Sequence, residues 1–229
     1  DETFVSIGKY EVDILVQACL TDGITLLDVG SGYGRLAYAL INMGPKVDYT
    51  GVDILRKHIT WCQDEISSRN PNFVFNHVDI RNDRYNPNGA LDAKTDCFIS
   101  TGETFDFSCL FSVFTHMYEE EIENYLRTIW DALEDTGVCI ATFFLWNENR
   151  IPQIITGESG TDLPMRHKLN DHTIYHNEAD PLHAICYEQD FIWGLAKKVG
   201  FEASIVEYGA WAGIEKSSSF QDVVRLSKP

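Results

Sequence analysis

Residues Leu26-Leu27-Asp28-Val29-Gly30-Ser31-Gly32-Tyr33-Gly34-Arg35 read as an apolar strand that passes into a glycine-spaced turn and opens a helix. Glycines suit such a turn because it is tight, and because a ligand lying against the backbone leaves no room for a Cβ. The pattern is that of a nucleotide-type cofactor loop. It is not the dinucleotide G-x-G-x-x-G pattern, whose third small residue would fall where Arg35 stands. Asp28, two residues before the first glycine, would repel a pyrophosphate unless something neutralised it. That carboxylate instead suits a ligand with an amino group and a positive charge.

Around the turn, apolar strand runs alternate with segments whose apolar residues recur every three to four positions, as expected of a parallel sheet covered by helices. The expected strands are Ile24 to Val29, Tyr49 to Ile54, Phe73 to Val78, Phe105 to Ser112, Val138 to Leu145, Ala203 to Tyr208 and Gln221 to Leu226. Helices are expected through Val12 to Leu20, Gly34 to Asn42, Ile59 to Ile66, Ile122 to Leu133 and Gln189 to Val199. No helical pattern separates the last two strands, so they should pair as an antiparallel hairpin at one edge. The chain is therefore expected to form one α/β domain over residues 1–229, doubly wound around a seven-stranded, mostly parallel sheet. Residues 81–103 read as a long surface loop. Residues 146–187, rich in proline and glycine and without a sustained period, read as a cap or lid inserted in the domain.

Charge narrows the partners. The 229 residues carry 18 Lys+Arg against 35 Asp+Glu, a net charge of −17, which works against any ligand held through a phosphate backbone. Nucleic acid is thereby disfavoured as a partner. No run approaches the roughly 20 apolar residues of a membrane-spanning helix, and Asp1-Glu2-Thr3 lacks the basic-then-apolar pattern of a leader, so the chain reads as cytoplasmic with no membrane partner. Cys109 and Cys139 in strand runs, and Cys19 and Cys62 on apolar helix faces, read as buried thiols. No C-x-x-C supports structural zinc, and no metal is expected.

Two further acids repeat the placing of Asp28: Asp53 closes the second strand and Asp79 the third. In a parallel sheet these carboxylates share the carboxyl edge, where ligands of doubly wound folds bind. One can accept both hydrogens of a ribose diol and another an adenine amino group, so together they describe an adenosine with a cationic tail. Any one such acid taken alone is more often a helix cap. The segments Asp28-Val29-Gly30-Ser31-Gly32-Tyr33-Gly34, Asp53, Asp79-Ile80 and Phe111-Ser112-Val113-Phe114-Thr115-His116-Met117 resemble those of class I S-adenosylmethionine-dependent methyltransferases, over roughly residues 24 to 145. The last segment is similar to a strand-four ending of bacterial enzymes that tailor sugars and small molecules.

That resemblance implies a Rossmann-like methyltransferase fold with S-adenosylmethionine as cofactor. It implies that Gly30, Gly32 and Gly34 hold the methionine part, Asp53 the ribose hydroxyls, and Asp79 with Ile80 the adenine, with Asp28, Ser31 and Ile54 also expected to bind the cofactor. Ser112, Val113 and Phe114 would run beneath the cofactor. Methyl transfer is an in-line displacement that needs alignment, and a base if the acceptor is a hydroxyl. His116, just past the fourth strand, is the catalytic candidate, with Glu119 behind it; a helix-capping or packing role for His116 stays open. Within the cap, Arg150, Arg166 and Lys168 could pair an anionic substrate group or be surface charge, and Trp146, Tyr175, Tyr187 and Trp211 could stack on a ring or pack internally. The expected activity is O-methylation of a small molecule such as a sugar or secondary metabolite. A non-catalytic cofactor-binding protein and a nicotinamide-dependent oxidoreductase are the alternatives.

Overall fold

The computed structural model describes residues 2–99, 102–157, 163–214 and 216–229. Seven strands form the main sheet: β1 (Thr25–Val29), β2 (Asp48–Asp53), β3 (Phe73–His77), β4 (Phe105–Leu110), β5 (Leu133–Phe143), β6 (Glu202–Glu207) and β7 (Asp222–Ser227). Their order is β6-β7-β5-β4-β1-β2-β3. Strands β3, β2, β1, β4 and β5 are mutually parallel, and β7 runs antiparallel to both β5 and β6. This is the expected doubly wound, mostly parallel seven-stranded sheet, with one reversed strand. The hairpin of β6 and β7 forms as expected, with β7 on the inner side and β6 at the edge.

Alternation along β1 explains the two helical layers. Leu26 packs into a cluster with Leu15 of α1 (Glu2–Gln17), Leu36 and Leu40 of α2 (Arg35–Met43) and Ile59 of α3 (Arg56–Cys62). Leu27, facing the other way, joins Ile122, Leu126 and Ile129 of α4 (Glu119–Ala132) and Ile192 of α6 (Gln189–Val199). Strands buried on both faces are what a parallel sheet requires. Helix α4 starts where Glu121 reaches back to accept the Tyr118 N–H at 2.7 Å, and Glu119, Glu120 and Glu121 place negative charge on its first turn. Leu133, expected as the end of that helix stripe, instead opens β5, which begins five residues before the expected Val138. Cys19 corrects another expectation. Helix α1 ends at Gln17, Cys19 turns into the left-handed region at φ 81°, and its thiol is exposed, whereas Cys62, Cys109 and Cys139 are buried.

The segment 146–187 holds more structure than its lack of period suggested. Leu145–Trp146, Ile185–Glu188, Thr173–Tyr175 and His167–Lys168 form a small four-stranded sheet beside a short helix, α5 (Ile151–Thr156). Phe144, Ile154, Met165, Ile174, Cys186 and Trp211 bury one another there. Residues 158–162 of the expected cap lie outside the described residues. Arg150 corrects the surface-charge reading: it is buried, with an amino group 3.2 Å from Asp222 Oδ1 and another donating to the Leu145 carbonyl at 2.7 Å. Asp222 also accepts from Gly209 N, Trp211 Nε1 and Leu145 N at 2.7–2.8 Å, so one carboxylate ties the segment to β7. The loop 81–103 is not wholly on the surface either, since Ala93, Phe98 and Ile99 are buried in the main core.

Candidate functional site

The carboxyl ends of β1, β2 and β4 border a cleft of about 220 Å³ that opens to solvent. It lies where the chain leaves β1 for β2 on one side while β4 sits on the other, the crevice in which ligands of such sheets bind. Gly30 follows β1 and Val113 follows β4, and the two loops meet closely: a Cβ on Gly30, whose φ is +78°, would lie 2.5 Å from Val113 Cγ2. Only glycine fits both the backbone angle and the contact. Ser112 has φ 62°, costly for a residue with a side chain. Its N–H donates to Thr142 Oγ1 and its hydroxyl accepts from Gln221 Nε2, both at 2.7 Å, which holds this loop to β5 and to the residue that precedes β7.

Asp53 organises the far side. Its Oδ2 accepts the Gly32 N–H at 2.8 Å and its Oδ1 the Leu55 N–H at 2.7 Å, so the carboxylate at the end of β2 fixes the shape of the glycine turn. Each oxygen keeps acceptor capacity toward the cleft. His58 lines the same wall, with Nδ1 4.0 Å from Asp53 Oδ1, buried and without a hydrogen-bond partner. Burial holds its imidazole below the ordinary range. The ring lies against Tyr33 of the glycine turn, with centroids 3.9 Å apart.

Asp28 faces a second recess beneath the turn, shared with Glu11, Ser31, Arg35 and Phe111. Its Oδ2 accepts from Tyr49 Oη at 2.5 Å, and burial pushes its pKa up to about 7. Glu11 is raised by burial as well and is held by Arg35, whose Nε donates to it at 3.1 Å.

Gly30, Gly32, Asp53, Ile54, Ile80, Ser112, Val113 and His116 line the main cleft, and Asp28 and Ser31 the recess. Three expected residues lie elsewhere. Gly34 packs under α3, where a Cβ would sit 2.6 Å from Ile66 Cδ1. Phe114 is fully buried and stacks on Phe143 at 4.8 Å. Asp79 turns its carboxylate to Asn86 Nδ2 at 3.0 Å, which lowers its pKa and orders the following loop. That loop supplies cleft residues that periodicity could not reveal: Asn82, Tyr85, Ala93 and Phe98. The apolar run Cys97-Phe98-Ile99 inside a polar stretch was the available signal.

His116 is half-buried in the cleft wall. Its Nδ1 lies 2.8 Å from the Leu182 carbonyl, an acceptor only, so Nδ1 carries the proton and Nε2 is left as the acceptor. Burial lowers its pKa, the Leu182 contact opposing this in part. Asn82 Nδ2 donates to the His116 carbonyl at 3.1 Å, and Tyr85 meets the ring edge-on at 5.4 Å. Glu119 is engaged with the cap, accepting from Asn170 at 2.9 Å and from Thr173. Trp211 and Tyr187 are buried and pack internally.

A family model of the methyltransferase domain matches residues 20–193. Among solved structures, a protein of Nostoc punctiforme provisionally described as an O-methyltransferase superposes with a TM-score of 0.62 at 16% identity, covering 98% of this chain and 56% of that one. The chain thus spans little more than half of that protein. CalS10 with bound S-adenosylmethionine, an amino pentose methyltransferase of Micromonospora echinaspora, superposes at 0.62 with 14% identity, covering 99% of this chain and 92% of that one. The glycopeptide N-methyltransferase MtfA superposes at 0.61 with 12% identity, covering 97% and 90%. At these identities the likenesses carry the fold. Among the described residues, no helix is long and apolar enough to cross a membrane.

Proposed function

Because the chain belongs to the methyltransferase-domain family, as a methyltransferase that draws on S-adenosylmethionine, we propose that it methylates a hydroxyl of a small molecule, with His116 as the base. The observation that carries this reading is the Nδ1 contact of His116 to Leu182: it favours the tautomer in which a neutral imidazole leaves Nε2 as the proton acceptor, on a residue that lines the cleft. A hydroxyl must lose its proton on methylation, and a group of lowered pKa is in the accepting form at neutral pH. Since O- and N-methylating proteins share this fold, the choice of acceptor atom rests on the histidine.

The residues present fit the nucleoside. Asp53 and the unpartnered Nδ1 of His58 would bind ribose hydroxyls; Val78, Ile80 and Asn82 would flank the adenine; the Gly30 approach leaves space that a Cβ would fill. Asp28, buried among Glu11, Arg35 and Tyr49, would favour the cationic amino end. S-adenosylmethionine supplies a methyl group on positively charged sulfur, open to in-line displacement. The chain's own part is to align the acceptor, exclude water with the loop after β3, and take the hydroxyl proton at His116. The net charge of −17 supports a small acceptor over a nucleic acid.

An acceptor panel of hydroxyl and amine compounds tests this with wild type and His116→Ala. The expected result is methyl ether products, with turnover falling 100-fold or more in the variant while S-adenosylhomocysteine affinity changes less than threefold. Full turnover in His116→Ala would remove the base.

A further inference from the structure

Where the loop after β3 meets the cap turn Pro181–His183, cationic and imidazole groups gather in a chain that is otherwise strongly acidic. The Arg84 guanidinium sits 5.4 Å from the Tyr85 ring, and Tyr85 in turn touches His116. His116 is bonded to the Leu182 carbonyl, and the next residue, His183, lies 5.6 Å ring to ring from His176. Two polar atoms of this cluster are buried and have no partner: Arg84 Nε and His183 Nδ1. Guanidinium nitrogen can only donate, so Arg84 Nε wants an acceptor that the protein does not supply. Asp180 takes the Nη1 edge of Arg84 across the gap between loop and cap, which fixes the guanidinium without using Nε. Asp83 is the other acid on this rim.

We infer that this rim is a subsite for an anionic group of the methyl acceptor, a carboxylate or a phosphate, held by Arg84 Nε and His183 Nδ1 beside His116. The substrate class is then a hydroxylated organic acid or phosphate ester, an assignment that rests on His116 marking the transfer site. The cap cations do not compete for the role. Arg150 is buried against Asp222, Lys168 pairs with Asp171, and Arg166 donates to the Thr156 carbonyl. An anion there would supply the acceptor that Arg84 Nε lacks and would accept from His183 Nδ1 in its N–H form, and a charged group joined to a fork-shaped donor gives orientation as well as affinity.

The test follows the imidazole NMR signals of histidine-labelled protein, with and without S-adenosylhomocysteine, as inorganic phosphate, acetate or neutral acetamide is added. Phosphate or acetate should shift the His183 and His116 signals saturably at millimolar concentration, with the tighter of the two naming the anion, and acetamide should leave them in place. Arg84→Gln and His183→Gln should each weaken that binding tenfold or more, and two variants keep the test decisive if one fails to fold. Unmoved signals with both anions, or wild-type affinity in a folded variant, would overturn the subsite. Calorimetry of S-adenosylhomocysteine on the same samples separates the two readings: no cofactor binding would refute the methyl-transfer site, whereas normal cofactor binding without an anion response refutes the subsite alone.

Discussion

Asp28 should make this protein lose stability as pH rises through the weakly acidic range. The residue is 4% exposed, and burial raises its pKa from 3.8 to about 7. Between those values the folded chain holds a proton that the unfolded chain has released, so unfolding becomes easier with rising pH and the loss is complete above about 7. Three pH units at about 1.4 kcal/mol each give a cost of about 4 kcal/mol at neutral pH. Asp28→Asn removes the titration but keeps an acceptor for Tyr49 Oη. The new amide hydrogens, short of partners, add an offset of about 1–3 kcal/mol that does not depend on pH. Urea unfolding from pH 4 to 8 therefore reads the difference in slope rather than the difference in stability. Glu11, Arg35, Tyr49 and Cys109 surround Asp28, and their own contributions persist in both proteins. Wild type should fall relative to Asp28→Asn by several kcal/mol across that range; parallel curves would refute the reasoning. The same cost gives a cationic ligand in the adjoining recess a reason to bind, because it offsets the buried charge.

Three other outcomes are expected. Asp53→Ala should weaken S-adenosylhomocysteine binding by about 1–3 kcal/mol, roughly 5- to 150-fold by calorimetry, because ribose donors and the Gly32 N–H lose their acceptor together; unchanged affinity would take Asp53 out of the site. Gly30→Ala places a methyl 2.5 Å from Val113 Cγ2 in a left-handed backbone, and a loss of cofactor affinity of about tenfold or more is expected; wild-type binding would show that the loops part easily. Asp222→Ala takes its carboxylate partner from the buried Arg150 and removes the Asp222 acceptor from three donors, so chemical denaturation should show a loss of about 3–5 kcal/mol; a loss below about 1 kcal/mol would mean that the pair contributes little to holding the cap.

Local chemistry made much of the fold legible in the chain itself. Strand β1, the glycine turn and α2 follow from apolar runs and residues that accept an unusual backbone, and Gly30, Asp53 and Val113 could be placed on the cleft because each stands at or shortly after the carboxyl end of a parallel strand. Where a side chain points after the strand ends was not legible. Asp79 and Asp53 occupy like positions in sequence, yet Asp79 is taken by Asn86 and Asp53 by the glycine turn. Phe114 goes to the core while its neighbour Val113 lines the cleft. Arg150 looked like a surface cation until the fold brought Asp222, 72 residues away, against it. The tautomer of His116 depends on a carbonyl 66 residues further on, and the pairing of Arg84 with Asp180 spans 96. Periodicity reports which face of an element is buried, a property of neighbours in sequence. The hydrogen-bond partner of a buried polar group is chosen by whatever the packed chain brings within about 3 Å, and that only the tertiary structure decides.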